Sequence, residues 1–337
     1  MHFNKLLFIA LGSIFLSCSK KEPVVEDVSL DFNTSLRSVS ISRTGTWVSG
    51  SKGAVYYKGN AHVSWTNKSP LGYDSLDFRS MAVVNDSIVL LASTTNPAII
   101  LRSNNAGDSW EQVYQDTSAG AFFDALKVDS TGLGFVLGDP LDGVFALYMT
   151  KDFGRSWIKL DKEKSPKAGE KEYAFAASNS SLLQIRNGVL FVTGGESGAY
   201  IHAGVPEDGS WKKELLGMYG SSACGAFNIC RKGDDLMIGG GCYDKIERSE
   251  ENMLFSDNMG TQWFSLPAGP KGYVSSMAFA AKKHLVAVGD IGLQWAPART
   301  RNFTLIPDTE KLNVVACNDV YGIAAGKEGK VLKITFQ

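Results

Sequence analysis

Three short stretches decide the fold: SNNAGDSW at residues 103–110, TKDFGRSW at 150–157 and SDNMGTQW at 256–263. Each stretch follows an apolar run and places Ser or Thr, Asn or Asp, Gly and Trp at the same relative positions. A short polar turn is therefore reused along the chain, which indicates that the protein is built from repeats.

The aromatic residue that ends each copy gives the period of the repeat. These residues are Trp65, Trp110, Trp157, Trp211, Trp263 and Phe303, separated by 45, 47, 54, 52 and 40 residues. Periods of this size, with several short strands per unit, are typical of propellers and related arrays. The segments PEDGSW, ending at Trp211, and NAHVSW, ending at Trp65, are interpreted as diverged copies of the turn.

Paired apolar segments precede each aromatic residue and predict two strands per repeat. The innermost strands are predicted at LRSVSI, FRSMAVV, FDALKV, YAFAAS, GAFNIC, VSSMAFA and LNVVAC. The second strands are predicted at TWVSG, IVLLAS, GFVLG, VLFVTGG, LMIGGG, LVAVGD and GIAAG. With a third strand before each polar turn and a fourth after it, the prediction is an all-β, seven-bladed β-propeller with four-stranded blades.

The two ends of the chain predict how the ring closes. The C-terminal VLKITFQ supplies a third strand for the last blade, and VSLDF at residues 28–32 is a strand without a blade of its own. We expect the N-terminal strand to complete the last blade, because pairing there removes a free sheet edge. The propeller is predicted to occupy residues 28–337 as a single domain.

The repeated turn resembles the Asp-box of sialidase-like propellers, and the whole chain from 28 to 337 resembles the BNR-repeat propellers. Within this group it resembles especially the family related to the photosystem II stability and assembly factor, through stretches such as EYAFAASNSS and IGGGCYD. The resemblance implies structural turns at the blade periphery and a protein that binds a partner. The implied Asp-box residues are Asn105, Gly107, Trp110, Asp152, Gly154, Trp157, Asn258, Gly260 and Trp263.

The first residues predict export and lipid anchoring. MHFNKLLFIALGSIFLSC has a basic head, a short apolar run and a small residue before Cys18, which is signal-peptide architecture. FLSC resembles a bacterial lipobox, so we expect residues 1–17 to be removed, Cys18 to be lipidated and residues 18–27 to form a tether. The predicted location is the outer membrane or a periplasm-facing membrane; an ordinary signal peptide is the alternative.

Composition narrows the function classes. The 337 residues contain 34 Lys plus Arg and 35 Asp plus Glu, so no global field favours nucleic acid. No G-x-G-x-x-G, H-E-x-x-H, C-x-x-C or G-x-S-x-G motif occurs, and we expect no cofactor and no metal. The absence of Arg-Ile-Pro also argues against a sialidase that grips a carboxylate with three arginines.

The candidate site is the face on which the loops entering the innermost strands meet the loops after the second strands. The residues placed there are Arg79, Asp124, Asp139, Glu196, Tyr243, Asp244, Asp290 and Glu328. They predict a largely acidic rim around a funnel, suited to a cationic peptide, a metal ion or a sugar. The preferred function is an envelope binding or assembly platform for a protein or glycan. The alternative is a glycoside hydrolase that uses Asp139, Glu196 or Asp290 as paired carboxylates.

Four cysteines follow Cys18, and an exported protein can oxidise them. If GAFNIC and DLMIGGGC form a hairpin that turns near Gly233, Cys224 lies almost opposite Cys242, which predicts a disulfide there. Four buried free thiols are the alternative.

Overall fold

The computed structural model describes residues 22–94, 97–186, 188–266, 269–280 and 284–337. These residues form antiparallel strands joined by turns, with a single 3-10 turn at Lys327–Gly329. No helix in this part of the chain has the length and apolar character needed to cross a bilayer. Cys18 and the predicted signal peptide lie outside the described residues.

Five sheets have four strands each. An N-terminal strand, β1 (Val24–Asp27), belongs to the last of them. The first sheet contains β2 (Leu36–Ile41), β3 (Gly45–Gly50), β4 (Val55–Gly59) and β5 (Thr66–Asn67). The second contains β6 (Ser80–Val83), β7 (Val89–Ala92), β8 (Ala98–Ser103) and β9 (Glu111–Asp116). The third contains β10 (Phe123–Val128), β11 (Gly134–Leu141), β12 (Val144–Thr150) and β13 (Ile158–Lys159).

The next nine strands form one sheet, because a single bridge between Gly194 and Gly225 joins two four-stranded runs. The first run follows the short β14 (Glu172–Tyr173) and contains β15 (Leu182–Ile185), β16 (Gly188–Gly195), β17 (Tyr200–Val205) and β18 (Ser210–Leu215). The second run contains β19 (Cys224–Lys232), β20 (Asp235–Cys242), β21 (Met253–Ser256) and β22 (Phe264–Ser265).

The last two sheets complete the chain. One contains β23 (Ser276–Ala280), β24 (His284–Gly289), β25 (Gly292–Pro297) and β26 (Thr304–Leu305). The other contains β27 (Leu312–Cys317), β28 (Tyr321–Gly326), β29 (Val331–Thr335) and β1. The first strand of each group, β2, β6, β10, β15, β19, β23 and β27, contacts the next in a closed ring around a central axis.

Burial along the sheets explains the sequence pattern. The second strands β3, β7 and β16 are buried at every position, because each is packed between the neighbouring sheets on both of its faces. The sequences of these strands are therefore continuous apolar runs that do not alternate with polar residues. The outer strands β5 and β22 are two residues long and exposed, which keeps the outer sheet edges short.

The ring closes through the N-terminal strand, as predicted, but with different residues. Strand β1 pairs with β29, with Val24 opposite Thr335 and Asp27 opposite Leu332. The closing strand is therefore VVED, which had been assigned to the tether, and residues 28–32 follow it as a connection. Backbone bonds from Val28 and Leu30 to the β29 region continue the contact after β1 ends.

The three repeated turns share one hydrogen-bond pattern. Ser103 Oγ donates to Asn105 Oδ1 at 2.9 Å and accepts from Gly107 N at 2.8 Å, and Ser109 N donates to Asn105 Oδ1 at 3.0 Å. The other two copies repeat these bonds at Thr150, Asp152, Gly154 and Ser156 and at Ser256, Asn258, Gly260 and Gln262. All three turns join a third strand to a fourth, where they were predicted.

Glycine is required in these turns for two reasons. Gly154 has φ +73°, a left-handed conformation that side chains other than glycine's rarely adopt. A Cβ there would also lie 2.1 Å from Leu90 Cδ2 of the neighbouring sheet. The following Trp157 is buried in the core between the second and third sheets. The turns thus fasten adjacent sheets and lie away from the central axis.

Residues 174–181 cross the central axis, and we call this segment the plug. Asn179 Nδ2 donates to Met81 O at 2.8 Å, and Leu126 N donates to Asn179 Oδ1 at 2.8 Å. Ser178 Oγ donates to Ser275 O at 2.8 Å. The plug therefore bonds to the second, third and sixth groups of strands. YAFAAS had been predicted as an innermost strand, but that strand is β15, which begins at Leu182. Small Ala and Ser side chains let the backbone pass through the narrow channel.

We expect Asn179→Ala to lower the free energy of unfolding by about 2–4 kcal/mol. The change leaves two buried backbone groups without partners, at about 1–3 kcal/mol each, and places alanine at φ +58°. Urea unfolding measures the effect, with the exposed Asn104→Ala as the matched control. Asn179→Gly separates the cost of the lost hydrogen bonds from the cost of backbone strain. Glycine tolerates this φ without strain but cannot restore the bonds. If both Asn179 variants match the control, the plug does not contribute to stability.

Candidate functional site

Bulges in the innermost strands direct side chains toward the central axis. Strands β2, β10, β19 and β27 each contain a one-residue register shift. The shift lies at the same place in all four, near the start of the strand's pairing with the second strand. A bulge leaves the extra residue unpaired and changes the direction of its side chain. The extra residues are Arg37, Asp124, Phe227 and Asn313. Arg79 stands at the matching position, immediately before β6.

Four of these five residues, all except Asp124, enclose with the plug a cavity of about 330 Å³ at one end of the axis, which we call the arginine cavity. Its wall contains three cations, Arg37, Arg79 and Lys327, and one carboxylate, Asp290. The plug residues Phe175, Ala176 and Ala177 form its floor.

The two arginines are held by the plug but retain unused hydrogen-bond donors. Arg79 Nε bonds Asp77 Oδ2 at 2.8 Å, and its Nη1 reaches Ala176 O at 3.4 Å. Arg37 Nη1 reaches Ala177 O at 3.4 Å, and its buried Nε has no partner in the described part of the chain. Burial, and second the neighbouring Arg79, lower the pKa of Arg37. A guanidinium in this position gains most from an incoming anion.

Aromatic side chains line another part of the cavity. Phe175 of the plug stacks on Phe227 with ring centres 4.1 Å apart and planes 14° apart. Tyr273 meets Phe227 edge to face at 4.8 Å, and the half-exposed Tyr243 does so at 6.2 Å. The cavity therefore places a cationic wall beside an apolar one, an arrangement that can hold an anionic group and a neighbouring apolar group together.

The predicted acidic rim differs from the charges that the structure places there. Asp290 accepts a hydrogen bond from Lys327, Glu196 lies 2.5 Å from Lys171 Nζ, and Glu328 lies 2.7 Å from Lys311 Nζ. Basic neighbours thus neutralise three predicted acids. Of the eight predicted residues, Arg79, Tyr243 and Asp290 line the cavity. Exposed Glu196, Asp244 and Glu328 lie outside its wall.

Asp124 and Asp139 lie deeper in the molecule. Asp124 is fully buried, and neither of its carboxyl oxygens has a hydrogen-bond partner among the described residues. Burial, and second the nearby Asp139, raise the pKa of Asp124 well above its usual value, while Arg79 opposes the shift. Burial also raises the pKa of Asp139 to about 6, although Ala174 N donates to it at 3.1 Å. Both shifts favour the protonated, uncharged form of Asp124.

The predicted hydrolase carboxylates are not gathered at the cavity. Asp290 lines the wall, Asp139 is half-buried outside it, and Glu196 is exposed in its ion pair. A retaining or inverting pair needs two carboxylates facing one bond. Of these three carboxylates, Asp290 alone lines the arginine cavity, and it accepts a hydrogen bond from Lys327.

The hairpin of β19 and β20 joins Cys224 to Cys242 in a disulfide, which confirms the predicted pairing. Asp244 lies near both sulfur atoms and completes the one group of metal-ligand type found in the described ranges. Because both sulfurs are bonded to each other, neither is available as a thiolate ligand. Cys230 and Cys317 are half-buried thiols.

Sequence reasoning missed most of the cavity wall. It selected Arg79 and Asp124 at the starts of innermost strands but passed over Arg37, which occupies the same register in LRSVSI. Aligning the strand starts would have found Arg37, Phe227 and Asn313 as well. No local signal marks Phe175, Tyr273 or Lys327, because their position depends on the plug and on the connections between sheets.

Comparison with known proteins supports the fold. No family model and no curated protein matches the chain. A solved structure of YCF48 bound to D1 peptide matches with a TM-score of 0.68 at 18% identity, covering 93% of this chain and 97% of that chain. YCF48 from Cyanidioschyzon merolae gives a TM-score of 0.68 at 14% identity, over 92% and 98% of the two chains.

A more distant structure agrees. The WD40 beta propeller domain of Doa1 matches with a TM-score of 0.63 at 11% identity, over 94% of this chain and 97% of that chain. These similarities extend over nearly the whole chain, while the identities are low. The protein described here therefore has a β-propeller fold that is similar to that of YCF48.

Proposed function

We propose that the protein is a binding platform that holds a segment of a partner protein in the arginine cavity. The segment presents an anionic group to Arg37 and Arg79 and an apolar side chain to the wall of Phe227 and Tyr243. The observation that carries this proposal is the buried Arg37 Nε, which has no partner among the described residues and lies beside a second guanidinium. A buried cationic donor without a partner costs free energy, and an anionic ligand removes that cost.

The similarity to YCF48 supports a peptide as the ligand. That protein was solved with a D1 peptide, on a fold that matches 93% of this chain. We extend only the class of ligand to the present protein, because the identity is 18%. A protein segment also fits the cavity, since about 330 Å³ accommodates a few side chains and not a folded domain.

Three finer features belong to the same proposal. The ring consists of seven blades, of which five are separate sheets and two are the runs of the nine-stranded sheet. The chain is exported and anchored through a lipid on Cys18, facing the periplasm or lying at the outer membrane. The repeated turns are Asp-boxes of the BNR type, supported by their common hydrogen bonds at Asn105, Asp152 and Asn258.

In-cell photocrosslinking tests the proposal. A photoreactive amino acid replaces Tyr243, which is 50% exposed at the cavity, or Phe264, which is 43% exposed on the outer strand β22. We expect partner peptides that contain Asp or Glu next to an apolar residue to be captured from position 243 and not from 264. Arg37→Gln with Arg79→Gln should abolish the capture, whereas Arg186→Gln on an exposed turn should preserve it.

The proposal fails if both positions capture the same peptides, or if the double arginine variant captures as much as the wild type. In either case the cavity does not select the partner. Purified protein variants must show the same circular dichroism spectrum, so that loss of capture reports binding and not unfolding.

A further inference from the structure

The chain enters the fold at the face opposite the arginine cavity. In the last sheet Val24 pairs with Thr335, and Thr335 pairs with Tyr321 at the start of β28. The turn before Tyr321 joins β27 to β28, at the end of β27 remote from its bulge at Asn313. Residues that precede Val24 therefore join the propeller at this end, which we call the far face.

A groove opens on the far face where the last sheet meets the first. Its volume is about 720 Å³, and its walls include Val28, Trp65, Tyr321 and Ile323. Two valines on its rim are strongly exposed: Val63 at 92% and Val320 at 71%. Apolar side chains exposed together at the rim of one groove are a feature of interaction surfaces.

Basic side chains dominate the charge of the groove. Arg43, Lys58 and Lys333 line it together with one carboxylate, Glu26. Lys58 Nζ lies 6.0 Å from the Trp65 ring centre and Lys333 Nζ lies 5.5 Å from that of Tyr321. Within the described ranges neither lysine has a carboxylate at ion-pair distance. Their charges remain available to an external anion.

We propose that the far-face groove docks on the anionic headgroups of a phospholipid membrane, with Val63 and Val320 entering the interfacial layer. Trp and Tyr beside Lys are the residues that occupy membrane–water interfaces, where the ring stays in the apolar layer and the ammonium reaches the headgroups. The docked protein directs the arginine cavity away from the bilayer, toward partner proteins.

The inference rests on the proposed function only through the lipid on Cys18. Five residues lie between Cys18 and Val24, so an anchored chain spans about 20 Å at most. An anchor of that length, attached at the far face, keeps this face and not the cavity next to the membrane. The docking surface itself is made of residues 26–65 and 318–333 and does not require the lipid.

Site-specific fluorescence tests the orientation. The full chain is reconstituted into vesicles of phosphatidylethanolamine and phosphatidylglycerol with an environment-sensitive amino acid at position 63, 320 or 71. Leu71 is the matched control, because it is 95% exposed on the connection from β5 to β6, on the cavity side. Spin-labelled lipid should quench probes 63 and 320 and leave probe 71 unaffected. Equal quenching at all three positions, or stronger quenching at 71, overturns the proposal.

A second comparison tests the lysines. With the probe at 320, Lys58→Gln and Lys333→Gln should each lower the ratio of docked to undocked protein about fivefold. Lys52→Gln and Lys245→Gln, exposed on the cavity side, should not. Vesicles of phosphatidylcholine, which has no net charge, should lower the ratio of docked to undocked wild-type protein in the same way.

If mass spectrometry finds no lipid on Cys18, the anchor of the proposed function is wrong. Co-sedimentation of the same variants with the same vesicles then tests the groove by itself. Binding that does not depend on the two lysines overturns the docking proposal in either case.

Discussion

Replacing Arg37 and Arg79 together with glutamine is expected to weaken partner-peptide binding by about 100-fold to 10,000-fold. A hydrogen bond to a charged group contributes about 1.5–3 kcal/mol, and two guanidinium groups contribute about twice that. The probe is the segment recovered by the Tyr243 crosslink, synthesised with a fluorophore and compared with a version whose carboxylates are amides. Fluorescence anisotropy measures both dissociation constants.

The same variant should be about as stable as the wild type. The half-buried Arg37 has a buried Nε without a partner among the described residues, and its neighbour Arg79 repels it. Removing both charges relieves this desolvation and repulsion, which offsets the loss of the Arg79–Asp77 pair and of the bonds to the plug carbonyls, so urea unfolding should show a free energy within about 1 kcal/mol of the wild type. Arg186→Gln, on an exposed turn away from the cavity, should change neither binding nor stability. Parallel losses of binding and stability in the double variant would show that the arginines are structural.

Glu172→Ala is expected to lower the free energy of unfolding by about 3–5 kcal/mol. The carboxylate is fully buried and accepts from Thr193 Oγ1 at 2.6 Å, His202 Nε2 at 2.8 Å and Lys213 Nζ at 2.5 Å. Gly169 N also donates to it at 2.6 Å. Removing the carboxylate leaves several buried donors without an acceptor at once.

Glu196→Ala provides the matched control. Its pair with Lys171 has the same 2.5 Å separation as the pair of Glu172 with Lys213, but the Glu196 side chain is 47% exposed. An exposed pair contributes about 0–1 kcal/mol. Urea unfolding of the two variants should therefore differ by several kcal/mol. Equal losses of unfolding free energy in the two variants would show that the burial of Glu172 does not increase its contribution to stability.

Acid should weaken the wild type through the same network. Burial alone raises the pKa of Glu172, but hydrogen bonds from His202, Lys213 and Thr193 lower this pKa to about 2. Its contribution is present above the unfolded value of 4.5 and is lost as pH falls from there toward 2. Burial lowers the pKa of His202, although Glu172 opposes the shift, so neutral His202 adds a loss below pH 6.5. Glu172→Gln should flatten the profile below pH 4.5.

The Glu172 network also fixes the position of a charged segment. Residues 159–172 are rich in charge, a composition typical of a solvated loop. In the structure Phe145 N donates to Pro166 O and Ala168 N donates to Gly143 O, so the segment packs along the third sheet. It ends in β14, immediately before the plug. The fixed position of Glu172 therefore sets where the plug enters the central channel.

The sequence by itself determined the repeat, the approximate strand positions, the turns and the disulfide. Each of these depends on residues close in the chain: the turn at Ser103 and Asn105 bonds within five residues, and Cys224 and Cys242 face each other across one hairpin. Ring closure was also predicted, because the unpaired strands at the two ends of the chain can pair with each other. The closing strand differs from the prediction only in its residues, which are Val24–Asp27.

The tertiary structure alone decided the site. The arginine cavity combines bulge residues that are far apart in sequence with a plug whose apolar segment is indistinguishable from a strand. Local patterns report which residues are apolar, but they do not report which carboxylate meets which lysine across the ring. That is why acids predicted to form an acidic rim are neutralised by Lys171, Lys311 and Lys327, and why the open charges of the cavity are cationic.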